Sequence, residues 1–288
     1  MKEVDYKELK KGGFMKQIQK DMFSMRLRVV GGQISAEQLK KIYDIATKYG
    51  KGYVHLTARQ SIEIPFIKLK DIELVKKELS EAGLQTGACG PRVRTITSCQ
   101  GSRICPNGLI DTIDIAKEFD EKYYARELPH KFKIGISGCR NNCLKAEEND
   151  LGIKGGVKPN WIKDECIYCQ LCEFVCPAKA IKVDKNNRSL EFDYSKCVYC
   201  GKCVKSCPSG AWTGEYGYIL YFGGMYGNNI TIGKQLLPII SSKEQLHKVI
   251  ETTLMFFKKY GKQGERFGNT LNRVGWDIFK SEIEEALK

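Results

Sequence analysis

Long apolar segments are missing from this chain of 288 residues, although 42% of its residues are hydrophobic. No stretch approaches the roughly 20 apolar residues that span a bilayer. Residues 1–14 are charged and lack the apolar core of a secretory signal. The chain also lacks a Gly-x-Gly-x-x-Gly pattern before a helix, the usual nucleotide or flavin fingerprint. We therefore predict a cytoplasmic protein that depends on a separate protein for any nucleotide or flavin chemistry.

Cysteine, in contrast, is abundant, with 13 residues in the chain. Eight form two copies of Cys-x2-Cys-x2-Cys-x3-Cys-Pro, at Cys166, Cys169, Cys172, Cys176 and at Cys197, Cys200, Cys203, Cys207. Four more lie upstream at Cys99, Cys105, Cys139 and Cys143, which leaves Cys89, to which we assign no role. A disulfide framework fits poorly, because the chain is large and the spacings are those of metal sites.

The two downstream copies predict a pair of four-iron clusters. Three thiolates on one short loop can reach three corners of a cubane, and the fourth cysteine, before proline, ligates the neighbouring cluster. The predicted sets are therefore Cys166, Cys169, Cys172 with Cys207, and Cys197, Cys200, Cys203 with Cys176. Two structural zinc sites are the alternative. This stretch resembles bacterial two-cluster ferredoxins over roughly 50 residues, which implies an electron relay.

The upstream cysteines lie in the segments Thr95-Ile-Thr-Ser-Cys99 and Ile136-Ser-Gly-Cys139-Arg-Asn-Asn-Cys143. These segments resemble the cluster motif of the siroheme-dependent sulfite and nitrite reductases. The resemblance covers nearly the whole chain and includes residues 26–32, 55–64, 128–133, 217–227 and 265–275. The inserted ferredoxin-like stretch resembles that of the small anaerobic and dissimilatory-like members.

The resemblance implies a role for each matching residue. Cys99, Cys105, Cys139 and Cys143 would hold the catalytic cluster, and Cys143 would also bridge it to the siroheme iron. Arg59 would contact siroheme carboxylates, and Gln60 would assist. The family's anion-binding positions match Arg28, Arg94, Lys131 and Lys133. Lys131 and Lys133, two residues apart on a predicted strand, would share one face.

The charge of the chain agrees with such a cofactor load. Its formal net charge is +13, an excess that would otherwise suggest nucleic-acid binding. Three oxidised four-iron clusters with their thiolates would contribute roughly −6, and a tetrapyrrole with eight carboxylates roughly −8. Much of the basic excess can therefore be internal compensation, and we expect no nucleic-acid partner.

The pattern along the chain predicts an α+β fold. Residues 1–85 read as a split βαβ unit, with a strand at 26–30 and a helix that Ser35 and Gln38 cap and that buries Leu39, Ile42, Tyr43 and Ala46. By resemblance, this unit and an α/β siroheme and cluster domain, residues 86–157 with 215–288, form one sulfite reductase half-repeat. Residues 158–214 are the inserted ferredoxin-like module. Further elements are predicted as a strand at 131–137 and helices at 111–127, 243–260 and 274–287.

We therefore expect a siroheme-dependent enzyme that reduces sulfite to sulfide with six electrons passed through three [4Fe-4S] clusters. Nitrite reduction to ammonia on the same site is one alternative, and an electron-transfer or siroheme-binding protein without turnover is another. Larger relatives build one siroheme site between two related halves, with cysteines from one and cations from the other. Since this chain has one half but both sets, we expect a homodimer, or an oligomer of dimers, with shared sites. A monomer with self-contained sites is the alternative.

Overall fold

The computed structural model describes residues 4–288, so the first three residues of the charged N-terminal segment lie outside it. The N-terminal unit carries an antiparallel sheet of order β1-β2-β4-β3. Its helices and strands are α1 (Tyr6–Lys11), β1 (Phe14–Lys16), β2 (Met22–Arg26), α2 (Ala36–Tyr49), β3 (His55–Leu56), β4 (Ile62–Lys68) and α3 (Ile72–Glu81). Both longer helices pack their apolar faces on this sheet, and one hydrophobic cluster runs from Phe14 to Leu84.

Helix α2 begins as predicted, with a capping box between Ser35 and Gln38. Its buried face is shifted from the predicted one, however. Ile42, Ile45 and Ala46 are buried, whereas Leu39 is 54% and Tyr43 66% exposed. The prediction was wrong for these two because they flank the stripe at i, i+3 and i+4 that faces the sheet.

The first predicted strand was also misplaced. Strand β2 ends at Arg26, before most of residues 26–30. The Leu27 N–H then donates to the Ile62 carbonyl (2.9 Å) and the Arg28 N–H to the Gln85 carbonyl (2.8 Å). The backbone of residues 27 and 28 therefore bonds to two different segments and does not continue the pairing of β2. The chain then turns at Gly31, which has φ +60°.

The second unit is built on a mixed sheet of order β11-β10-β7-β6-β5, in which β5, β6 and β7 are parallel neighbours. Helices pack over it around a large core that includes Phe119, Phe132, Phe257 and Phe267. Its elements are β5 (Thr97–Ser98), α4 (Thr112–Tyr123), β6 (Ile134–Ser137), β7 (Leu151–Trp161), β10 (Trp212–Phe222), β11 (Lys234–Gln235), α7 (Lys243–Tyr260), α8 (Phe267–Val274) and α9 (Trp276–Leu287).

Helix α7 has its predicted bounds, and Asp111 caps α4, which ends four residues earlier than predicted. The predicted helix at 274–287 is α9, which begins two residues later because Gly275, with φ +121°, separates it from α8, a helix that was not predicted. Strand β7 was not predicted. The mixed helix-and-sheet class is confirmed. Within residues 4–288, no helix combines the length and the apolar character that a bilayer crossing requires.

The cysteine-rich stretch lies between two partners of one long ribbon. Strands β7 and β10 pair antiparallel from Leu151 opposite Phe222 to Trp161 opposite Trp212. The residues between them form α5 (Leu171–Val175), the hairpin of β8 (Ile181–Asp184) and β9 (Ser189–Phe192), and α6 (Lys202–Ser206). A small apolar cluster joins these elements. The stretch is therefore an insertion at one end of the ribbon.

Candidate redox and anion site

The upstream cysteines gather at one edge of the mixed sheet. Cys99 directly follows β5, and Cys139 follows β6 after one glycine. Because β5 and β6 are parallel neighbours, their carboxyl ends lie at the same edge. The Gly138 N–H donates to the Cys99 sulfur (3.0 Å), so the two loops meet directly.

Cys139 lies within electrostatic range of the other three upstream thiols. Burial raises the pKa of the Cys139 thiol, and Cys105, Cys99 and Cys143 act in the same direction. Among residues 4–288, no three His, Cys, Asp or Glu side chains converge on the position of a single metal ion. A cubane instead takes its thiolates at separate corners.

The loop that carries Cys105 is tied to the loop that carries Cys139. The Leu109 N–H donates to the Gly138 carbonyl at 2.8 Å. Strand β7 passes close below, and a Cβ added to Gly155 would lie 2.3 Å from that same carbonyl oxygen. A side chain at position 155 would therefore push the two cysteine loops off the sheet.

A cavity of about 320 Å³ lies between the N-terminal unit and the segment that leads to Cys99. Its lining includes five cationic side chains: Arg26, Arg59, Arg94, Lys131 and Lys133. In the part of the chain that the structure describes, all but Arg26 lack an ion pair with a carboxylate. Arg94 is held by backbone carbonyls, donating to Ala88 (2.9 Å) and Gly90 (3.0 Å). The cavity therefore offers uncompensated positive charge.

Lys131 and Lys133 both line the cavity although the predicted strand at 131–137 starts only at Ile134. The segment before it is extended, since buried Phe132 bridges Val93 and the Lys133 N–H donates to Asp150 Oδ2 (2.9 Å). The two lysines thus alternate with a core residue and share one side of the chain.

Burial, and then the neighbouring like charges, lower the pKa values of three cations of the cavity. Burial, followed by the charge of Arg59, lowers the pKa of Lys133 to about 8. Burial and then Arg94 lower the pKa of Arg59 to about 10. The pKa of Lys131 is lowered by burial and by Arg266. An anion in the cavity would relieve this repulsion.

Arg28 lies outside the cavity. Its Nε donates to Asp120 Oδ2 at 2.7 Å, and its guanidinium also donates to Gln85. The guanidinium carbon is 3.9 Å from the centroid of the Tyr124 ring. Arg28 therefore faces a carboxylate and an aromatic ring, whereas Arg26 lines the cavity and pairs with Glu63.

Arg59 and Gln60 join the N-terminal unit to the cysteine-bearing segment. Arg59 donates to the Thr95 carbonyl (3.0 Å) and to Asn149 Oδ1 (3.1 Å) while it lines the cavity. The Gln60 amide makes two hydrogen bonds with the backbone of Ser98, at 2.7 and 3.0 Å. Gln60 thus holds the residue before Cys99 and has little capacity left for a ligand.

Sequence reasoning missed three charged residues near the lysines. Arg26 was overlooked because Arg28 is the residue that matches the family's anion-binding position. The two arginines are two residues apart, so on a strand both would have pointed to the same face. Arg266 donates to both oxygens of Asp150 at 2.9 Å, and this buried pair lies behind Lys133. Asp150 stands immediately before the apolar and glycine-rich run of β7, a context in which a carboxylate must be paired.

The downstream cysteines lie in two groups. One small cavity is lined by Cys166, Cys169, Cys172 and Cys207. The pKa of the Cys203 thiol is raised by burial first, and then by the nearby thiols Cys200, Cys197 and Cys176.

The second of these groups lies next to the upstream cysteines. Burial raises the pKa of the Cys197 thiol, and the charge of Arg140, between Cys139 and Cys143, acts in the opposite direction. Lys205 Nζ donates to the carbonyl of Pro106, the residue after Cys105, at 3.1 Å. The first group is partly open to solvent: Cys169 is exposed, and Phe174, two residues after Cys172, is 88% exposed.

Comparison with protein families gives two matches that together span most of the chain. Residues 89–288 match the nitrite and sulphite reductase 4Fe-4S domain. Residues 15–82 match the nitrite/sulfite reductase ferredoxin-like half domain.

Among individual proteins, the coenzyme F420-dependent sulfite reductase of Methanocaldococcus jannaschii is 35% identical over 260 residues. That match covers 90% of this chain but only 41% of the archaeal protein. An uncharacterized protein of the same organism is 33% identical and covered to 96% of its length. Dissimilatory sulfite reductase I has the same fold, with a TM-score of 0.74 at 21% identity over 91% of this chain and 69% of that chain.

Proposed function

Because this chain belongs to the nitrite and sulphite reductase family, we propose that it reduces sulfite to sulfide with six electrons. The observation that carries the proposal is the cavity in which Arg94, Lys131 and Lys133 have no carboxylate partner among the described residues. Small oxyanions bind to such clusters, and fixed cations stabilise charge that develops on them during reduction. The first-named relative, a sulfite reductase, favours sulfite as the substrate.

The residues present fit a siroheme and three [4Fe-4S] clusters. Twelve cysteines stand in three groups of four, and the cationic cavity suits a tetrapyrrole with eight carboxylates. Cys99, Cys105, Cys139 and Cys143 would hold the catalytic cluster, with Cys143 shared with the siroheme iron. Together these groups would supply electron storage and redox chemistry at the anion.

We expect roughly 13 irons per chain, from three clusters of four and one siroheme iron. Iron, zinc and tetrapyrrole should be measured on protein purified without oxygen. Zinc in place of iron, or roughly eight irons without a tetrapyrrole, would overturn the cofactor assignment.

Electrons would enter through the outer group, Cys166, Cys169, Cys172 and Cys207. The inner group, Cys197, Cys200, Cys203 and Cys176, lies beside Arg140 and next to the loop of Cys105. The relay would then run from the outer group through the inner group to the upstream cysteines. The donor would be a separate protein, since the sequence carries no nucleotide fingerprint.

The chain's own cations would divide the work at the anion. Arg94, fixed by two carbonyls, presents its charge in one orientation. Lys131 and Lys133 are flexible, and their lowered pKa values make them easier proton donors than exposed lysines. Arg59 holds the cavity wall to Thr95 and retains a charge toward a carboxylate of the cofactor.

Reduction of nitrite to ammonia is the closest alternative, because the family description names both anions. Turnover of sulfite and nitrite should be compared with a reduced artificial donor. Sulfite should give the larger kcat/KM. A larger value for nitrite would reverse the substrate assignment while leaving the site intact.

An electron-transfer or siroheme-binding protein without turnover is the second alternative. The uncompensated Lys131 and Lys133 argue against a plain electron-transfer protein, because electron transfer alone has no need of a charged anion cavity. Loaded protein that turns over neither anion would establish this alternative.

We also propose a homodimer, or an oligomer of dimers, in the cytoplasm, with each site shared between chains. Cys143→Ser and Lys131→Ala chains, inactive alone, should regain activity when co-expressed, because a mixed dimer then contains one intact site. Self-contained sites would leave every mixed dimer inactive.

A further inference from the structure

The loop that carries Cys143 has an unusual backbone that one side chain holds in place. Asn142 and Lys145 both have positive φ, +54° and +57°. Asn142 Oδ1 accepts hydrogen bonds from the Ala146 N–H (2.8 Å) and the Ser137 hydroxyl (3.1 Å). The position of Cys143 therefore depends on where the Asn142 amide is fixed.

A buried ion pair fixes that amide from below. Asn142 Nδ2 donates to Glu147 Oε2, and Glu147 Oε1 accepts from Lys154 Nζ. Lys154 is a β7 residue that stands opposite Ser137, and its side chain is only 3% exposed. Its Nζ also lies 4.1 Å from the centroid of the Tyr221 ring. A lysine this buried is tolerated only with a partner, so Lys154 and Glu147 hold each other in place.

Glu147 also fixes a second loop through its backbone. The Gly233 N–H donates to the Glu147 carbonyl at 2.9 Å. A Cβ added to Gly224 would lie 2.0 Å from the same oxygen, so residue 224 must be glycine. Gly224 belongs to residues 217–227, the glycine turn that the family resemblance includes. Glu147 thus joins the Cys143 loop to that turn.

We propose that Lys154 is a positioning residue for the catalytic centre. By holding Glu147, it fixes Asn142 and hence the place where the Cys143 sulfur meets the cluster and the tetrapyrrole. Without the ammonium, the partly exposed Glu147 carboxylate turns toward water and releases Asn142. The inference rests on the proposed function, since it concerns the centre that Cys143 is proposed to share.

The test compares Lys154→Met with Lys158→Met, a matched control because Lys158 lies on the same strand and is exposed. Electron paramagnetic resonance of anaerobically purified protein would measure the coupled siroheme–cluster signal. The outer ferredoxin-like cluster, whose proposed ligands share no hydrogen bond with this network, serves as the internal standard. Lys154→Met should lose about half or more of the coupled signal relative to that standard, and the control should lose none.

A double variant separates positioning from simple damage to the core. In Lys154→Met/Glu147→Gln, no carboxylate needs a cation, and the side-chain oxygen of the introduced glutamine can still accept from Asn142. The coupled signal should therefore return toward that of the parent protein. An unchanged signal in Lys154→Met, or no recovery in a folded double variant, would overturn the inference. A parent protein that lacks the coupled signal would instead contradict the proposed function.

Discussion

Arg28 and Arg94 match the same kind of anion-binding position by sequence, yet their surroundings differ. Arg28 faces Asp120, Gln85 and the ring of Tyr124, so its charge is compensated within the protein. Arg94 donates to two backbone carbonyls and, within residues 4–288, keeps a charge without a counterion, in a cavity with Lys131 and Lys133. The availability of a cation for a ligand is therefore decided by its neighbours.

The largest effect that this contrast predicts is on stability. Arg28→Ala would leave the fully buried Asp120 carboxylate without its cation, although the Ile96 N–H still donates to it at 2.9 Å. We expect a loss of about 3 kcal/mol in the free energy of unfolding, measured with urea. Arg28→Ala/Asp120→Asn should recover part of it. Normal stability with a tenfold loss of turnover would instead return Arg28 to the anion site.

Arg94→Ala should show the opposite behaviour. Turnover of sulfite should fall at least tenfold, which corresponds to about 1.4 kcal/mol in transition-state stabilisation. Tetrapyrrole absorbance and the unfolding midpoint should change little, because no carboxylate of the described chain loses a partner. Lys131→Ala should behave alike, with exposed Lys158→Ala as the control. Unchanged activity in a folded, loaded variant would remove Arg94 from the proposed site.

The same contrast explains what sequence could and could not predict. Local signals such as the Ser35 capping box and the bounds of α7 depend on nearby residues. The pairing of Arg28 with Asp120 joins residues 92 positions apart, and no local pattern encodes it. Strand β7 was missed because its glycines serve close packing, as at Gly155, and depress the usual strand signal.

A smaller effect should appear in the pH dependence of anion binding. The pKa of Lys133 is lowered to about 8 by burial and Arg59, so the free protein loses this charge as pH rises through that value. Anions prefer protonated Lys133, and affinity should be highest below about pH 8 and fall above it. Carboxylates of a bound cofactor would raise the pKa of Lys133 and shift this loss of affinity to higher pH.

Nitrite is a suitable probe because it keeps a single charge over the range to be measured. Its binding should be followed from about pH 6.5 to about pH 9.5 in the parent protein and in Lys133→Arg. The arginine stays protonated and should flatten the alkaline limb. An equal loss of nitrite affinity at alkaline pH in both proteins would show that a group other than Lys133 titrates.

The smallest effect concerns the outer cysteine group, where the contrast is between exposed Cys169 and the inner group, none of whose cysteines is exposed. Phe174 is 88% exposed and lies two residues after Cys172 in α5, whereas Lys205 beside the inner group donates to Pro106 in the loop of Cys105. An exposed aromatic beside an electron-entry point suits contact with a donor protein. Phe174→Glu should therefore raise the KM for a protein donor by about threefold, the effect of a peripheral contact of roughly 0.7 kcal/mol. Turnover with a small artificial dye should stay unchanged, since a dye needs no docking surface. Equal losses with both donors would mean that the substitution damages the cluster, and no loss with either would place the donor on another face.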